Sequence, residues 1–136
     1  MENTGSSGKS ALGLDANITA LLGYIVWIVA LIALLMEKEN KFVRFHTIQS
    51  LLYHAAMIVL MIVFGMLGMI LGIAGAVAGE AGGAIGGIFG GLMGLVIMVI
   101  CLAYLAGLIY AAVQAYGGKW FKLPIVGNMA EKFANK

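Results

Sequence analysis

Residues Gly72–Gly87 read GIAGAVAGEAGGAIGG. Whether this stretch turns the chain or carries it onward decides the fold. Glu80 is the only acidic or basic side chain between Arg44 and Lys119. The chain is apolar from Leu51 to about Ala78, and again up to Tyr116. Two membrane crossings consume roughly 40 residues, and three would leave almost nothing for loops. The segment therefore reads as a hairpin of two long helices that turns near Glu80, within GEAGG.

The bulk composition sets the solvent. Of 136 residues, 62% are hydrophobic and 10% charged, with a mean hydropathy of +1.04. A soluble domain carries about 25% charged residues, so this surface could not face water on all sides. A net charge of +2 is too small to point to nucleic acid. Cys101 is the sole cysteine, which rules out an internal disulfide and suits a small apolar packing residue.

The first apolar run, Ile18–Met36 (ITALLGYIVWIVALIALLM), carries no charge. As one helix it would be about 28 Å long at ~1.5 Å per residue, near the ~30 Å hydrocarbon thickness. It reads as a first transmembrane helix, with Asp15 or Asn17 as its cap. Before it, residues 1–17 read as a flexible tail. Lys38, Lys41 and Arg44 follow this helix, and Lys119, Lys122, Lys132 and Lys136 follow the last one. With both groups in the cytoplasm, only Lys9 lies outside, a strong positive-inside bias. The expected fold is an all-α membrane protein with three transmembrane helices, N-terminus outside and C-terminus cytoplasmic, in the cell membrane. Residues 18–116 form the membrane domain and 117–136 a cytoplasmic tail. Gly117 and Gly118 are expected to end the last helix. In the tail, Asn128 and Glu131 resemble a capping box for a short amphipathic interfacial helix, MAEKFANK.

Gly65, Gly68, Gly72, Gly75 and Gly79 recur in steps of three and four. On a helix this places them along one face, where small residues let backbones approach in lipid. The stripe reads as a packing surface, within the hairpin or between copies.

KFVRFHTIQS, Lys41–Ser50, enters the second helix behind Asn40, a good cap. Lys41 and Arg44 could snorkel to headgroups while Phe42 and Phe45 sink into the interface, with Trp120 and Lys122 doing the same at the other end. By helical phase, His46, Ser50 and His54 share a face with Gln49 beside them, and the last helix returns with Tyr110 and Gln114. These six residues form a candidate polar cluster facing the bundle interior. It would either lock the helices by hydrogen bonds or serve as a conduction, protonation or ligand site. His46 and His54 lie about 12 Å apart along the axis, too far to share a metal, and no cofactor is expected. No phosphate loop, G-x-S-x-G or H-E-x-x-H pattern is present. The only hydroxyls from 51 to 116 belong to Tyr53, Tyr104, Tyr110 and Tyr116.

LGLDANITALLGYI, LLMEKENKFVRFHTIQS and KWFKLPIVGNMAEKF together resemble a family of small archaeal and bacterial membrane proteins. That family is grouped with the Tic-twenty-like subunits of a chloroplast translocon. The likeness covers roughly 13–54 and 104–133, while the glycine-rich middle is longer than the family's. It implies a helical integral membrane protein and supplies no activity. The expected function is a non-enzymatic packing, scaffold or accessory subunit of a membrane complex, whose partners are the bilayer and a homo-oligomer or larger assembly. The alternative is a channel, transport or protein-translocation component using the cytoplasmic polar cluster.

Overall fold

A computed structural model describes residues 8–135, all of whose regular elements are helical. In order they are α1 (Ala16–Ile25), α2 (Trp27–Met36), α3 (Lys41–Val77), α4 (Gly79–Tyr116) and α5 (Val126–Ala134). The chain divides into two compact units. One comprises 8–55 with 106–135, and the other Ala56–Leu105.

The second unit is an antiparallel hairpin made from the later part of α3 and the earlier part of α4. Residues 56–77 rise about 33 Å at ~1.5 Å per residue, enough to cross a hydrocarbon core. Its aliphatic side chains face outward: Ile58 is 61% exposed and Val77 84%. Such a surface suits lipid or the face of another membrane helix rather than water. The reversal comes at Ala78–Gly79, where Gly79 takes φ +74, a left-handed conformation that glycine adopts without strain. It falls just before Glu80, which sits in the first turn of α4, so GEAGG is helical rather than a loop.

Close approach within the hairpin is local. A Cβ on Gly82 would collide with the Ala78 methyl and lie 2.6 Å from the Gly75 carbonyl oxygen. Gly75 also faces Gly86, and a Cβ on Gly68 would lie 3.6 Å from the Met93 sulfur. Gly65 and Gly72 face open space, and Gly79 is the turn itself. The predicted stripe thus packs one helix against the other near the reversal and leaves its remainder uncovered.

The first unit corrects the reading of Ile18–Met36. Val26 is extended (φ −125, ψ 97) and breaks the run into two ten-residue helices. These fold onto each other, so that a Cβ on Gly23 would lie 3.4 Å from that of Ala30. Each is about 15 Å long, half the hydrocarbon thickness. Polar side chains explain the fold-back. The Thr19 hydroxyl is 2.6 Å from that of Ser10, and Tyr24 is wholly buried among polar partners. A straight span would strand those groups in lipid, where an unmade hydrogen bond is costly. Among the described residues two helices, not three, are therefore long and apolar enough to cross.

The segment from Gly8 is placed differently as well. Ala11 N–H donates to Glu37 Oε2 at 2.7 Å, and Asn17 Nδ2 to the Tyr116 carbonyl at 3.1 Å. Ala11 therefore lies beside Glu37, where a single span over Ile18–Met36 would hold the two a membrane thickness apart. From Gly8 onward the expected tail is docked; residues 1–7, and Lys136 of the basic group at the C-terminus, lie outside the described residues.

The caps divide similarly. Asn40 Oδ1 accepts from the N–H groups of Phe42 and Val43 at 3.1 and 3.3 Å, starting α3. Asp15 stands at the α1 start without a side-chain bond, and Asn17 is directed to Tyr116 instead. The expected box at Asn128 does not form, because α5 begins two residues earlier. At the end of α4, Gly118 (φ +72) allows Lys119 N–H to reach the Gln114 carbonyl and Gly118 N–H that of Ala115, each at 3.0 Å. This is the glycine-terminated helix end that the sequence predicts.

Gly82→Ala should destabilise the purified protein by about 1–3 kcal/mol through overpacking. Gly87→Ala, which meets open space, should be neutral or gain up to ~1 kcal/mol of helix propensity. Thermal loss of helical circular dichroism in detergent separates the two.

Candidate functional site

The polar centre of the first unit grows out of FVRFHTIQS. One helical face of α3 carries Phe42, Phe45, His46 and Gln49, all fully buried. The predicted interfacial rings are therefore core residues. Phe42 and Phe45 pack edge-on to the His46 ring, at centroid distances of 4.5 and 4.9 Å, and both contact Trp120. The aromatic side chains clad the imidazole instead of reaching lipid, because burying them around a satisfied polar group gains apolar area without stranding a donor.

Around His46 the hydrogen bonds form one chain. Its Nε2 is 3.1 Å from the Lys119 carbonyl oxygen, which can only accept, so Nε2 carries the hydrogen. Nδ1 is then the acceptor, 3.1 Å from the Tyr24 hydroxyl. Tyr24 Oη in turn accepts from Gln49 Nε2 at 2.7 Å. The same Gln49 nitrogen donates to the Phe121 carbonyl at 3.0 Å, and its Oε1 accepts from Leu123 N–H at 3.1 Å. Gln49 thus pairs with the loop 119–125 as a neighbouring strand would. Gly127 makes room, since a Cβ there would lie 2.8 Å from Gln49 Oε1.

Ser50 Oγ donates to the Gly23 carbonyl at 2.6 Å and ties α3 to α1. His54 Nδ1 lies 2.8 Å from the Ser50 carbonyl and, more distantly, 3.5 Å from its hydroxyl. Of the six predicted residues, His46, Gln49 and Ser50 share the buried core and His54 adjoins it. Tyr110 and Gln114 stand apart: Gln114 Nε2 donates to Tyr110 Oη at 2.8 Å on an exposed face, and Tyr110 packs edge-on to Phe121. The phase of α4 explains this. Ala111, Ala112 and Ala115 face the core, which turns positions 110 and 114 away.

Sequence reading missed Tyr24, whose hydroxyl links His46 and Gln49. The signal was the single tyrosine of ITALLGYIVWIVALIALLM, which with Thr19 brings a hydroxyl into an apolar run. It also missed Glu37, whose carboxylate accepts from Ala11, Glu39 and Asn40 N–H at 2.7, 3.2 and 3.0 Å. Burial pushes this carboxyl up, but the amides of Asn40, Ala11, Glu39 and Lys38 together outweigh it and hold its pKa below the ordinary 4.5. Of the other predicted anchors, Lys41 is exposed and Lys122 pairs with Glu131 at 2.6 Å. Arg44 and Trp120 are half-buried, and their Nε and Nε1 atoms have no partner among the described residues. No group of three or more metal-ligating side chains occurs among the described residues.

The profile of the magnetosome magnetite crystal formation protein family matches residues 10–130. Two UPF0132 membrane proteins of Methanocaldococcus jannaschii are similar. One is 29% identical over 93% of this chain and 96% of its own length. The other is 34% identical over 90% of this chain and 73% of its own. A UPF0132 membrane protein of Archaeoglobus fulgidus is 31% identical over 85% of the chain and 92% of its own length. No solved structure matches. The chain belongs to the magnetosome magnetite crystal formation family, alongside the UPF0132 membrane proteins, and is a membrane protein.

Gln49→Leu removes both ends of the clamp and strands Leu123 N–H. It should cost about 3 kcal/mol and expose the chain after Gly118 to trypsin at Lys119 and Lys122, read by limited proteolysis. Glu37, with its lowered pKa, stabilises the docked N-terminal segment above pH 4.5, and that contribution is lost as pH falls through its lower folded value. The Ala11 amide resonance should therefore titrate with a midpoint below 4.5 and be flat in Glu37→Gln.

Proposed function

We propose that this chain is a non-enzymatic membrane component that packs, scaffolds or assembles within a larger membrane complex. One observation carries the reading. The motif-rich polar residues are engaged in fastening the protein's own segments, since His46, Gln49 and Ser50 each bind backbone of another element. What the chain presents outward in the lipid is the 56–105 hairpin, with Gly65, Gly72, Gly83, Gly87, Gly90 and Gly94 open to space. Such faces suit close helix–helix contact with another membrane protein or a second copy. The name of the matching family concerns magnetosome magnetite crystal formation.

The basic residues gather in the first unit, and the positive-inside rule favours a cytoplasmic position for it in the cell membrane. A kinship with Tic-twenty-like translocon subunits would support a transport or translocation role. That reading ranks second, because a path through the bilayer needs polar groups along its depth and Glu80 is the only charged side chain in 56–105.

Cross-linking in native membranes, followed by mild solubilisation and mass spectrometry, tests the ranking. A stoichiometric partner or a homo-oligomer cross-linked through 65–94 is the expected result. Partnerless protein that conducts ions or moves a substrate in liposomes would overturn it.

A further inference from the structure

Helix α5 and its N-cap carry two apolar rows, one buried and one exposed. Val126, Ala130 and Ala134, at helical spacing, are buried against the first unit, the two alanines beside Phe45 and Ile48. One position earlier in each turn stand Ile125, Met129 and Phe133, at 81%, 45% and 46% exposure. The remaining face is polar, with Asn128, Glu131, Lys132 and Asn135.

The start of the outward row is strained. Ile125 has φ 68 and ψ −64, and Val126 N–H bonds to the Pro124 carbonyl at 2.8 Å across it. This is a γ-turn in the left-handed region, held by a β-branched residue that disfavours it. Glycine would make the same turn without strain. The chain instead keeps a large aliphatic side chain there, almost wholly uncovered. A strained backbone that thrusts out an apolar side chain points to a contact for that side chain.

Charge and size select the partner. Segment 117–135 holds Lys119, Lys122 and Lys132 against a single acid, Glu131, which Lys122 already engages. Lys132, three residues after Met129, flanks the row. A strip three side chains long falls well short of the about 800 Å² per partner of a stable protein interface. It does match the shallow insertion, roughly 5–10 Å, of an amphipathic helix lying in a headgroup layer.

We propose that α5 is a membrane contact additional to the two spans. Ile125, Met129 and Phe133 enter the interface of an anionic leaflet, and Lys132 with Lys119 meets its phosphates. This goes beyond the scaffold reading and does not depend on it, because it is measured on the purified chain alone.

The test uses the full chain with Cys101→Ala, in nanodiscs of phosphatidylcholine alone or mixed equally with phosphatidylglycerol. Nitroxide labels are attached singly through Ile125→Cys, Met129→Cys, Asn128→Cys and Asn135→Cys. Collision rates with oxygen, which concentrates in hydrocarbon, and with a water-soluble nickel chelate are compared. The oxygen-to-nickel ratio should be several-fold higher at 125 and 129 than at 128 and 135. It should rise with phosphatidylglycerol and lose that rise in Lys132→Glu. Labels at 125 and 129 as open to nickel as those at 128 and 135, which also serve as the folding control, would overturn the proposal. So would labels shielded from both reagents with dipolar broadening between copies, which would assign the row to a second copy.

Discussion

The carboxamide of Gln49 is the constraint on which the first unit depends. Its nitrogen and oxygen reach the Phe121 carbonyl and the Leu123 amide, two backbone groups that no helix or strand would otherwise satisfy. Buried backbone groups must find partners, and a loop between two helices has none of its own. By standing in for a strand, Gln49 lets 119–125 lie against α3 without water. His46 does the same one turn earlier for Lys119, and Tyr24 joins the two side chains from α1. Three stretches distant in sequence are thereby locked by a network in which every member has a role, the condition under which buried polar groups stabilise rather than weaken a core.

The two units solve opposite problems. Within 56–105 the helices satisfy their own backbone, and apolar side chains need only face lipid; the sole demand is a tight reversal, met by Gly79 and the Gly75–Gly82 approach. Within the first unit the chain reverses between α1 and α2 and again between α4 and α5, and each break exposes peptide groups. This is where Ser10, Thr19, the Asn40 cap, His46, Gln49 and Ser50 are concentrated. The distribution of polar side chains therefore follows the distribution of broken helices.

That distribution also explains what could be read from the sequence. The long hairpin was legible because an uninterrupted apolar run with one glycine-flanked glutamate has few alternatives in lipid. Asn40 and Gly118 were legible because capping is local chemistry. The first apolar run misled because hydropathy treats Tyr24 and Thr19 as minor interruptions, whereas their hydroxyls decide the fold through partners far away in sequence, or outside the run. By sequence Phe42 and Phe45 suit lipid for a similar reason: rings beside Lys41 and Arg44 look interfacial until the imidazole and indole packed against them are known. Tyr110 and Gln114 were grouped with His46 by level rather than by phase, and Ala111 and Ala115 were the residues that could have fixed the phase.

The fold-back of α1 on α2 has a consequence for the charge pattern. A single span over Ile18–Met36 left Lys9 as the exception to an otherwise one-sided distribution of basic residues. With Ala11 hydrogen-bonded to Glu37, the segment that begins at Gly8 returns to the neighbourhood of Lys38 and Lys41. On a two-crossing reading Lys9 is no longer an exception, and the one-sided bias that the three-span reading met incompletely is met in full. Charge asymmetry and hydrogen bonding are independent constraints, one acting on insertion and the other on packing. Both constraints favour keeping the docked N-terminal segment beside Lys38 and Lys41.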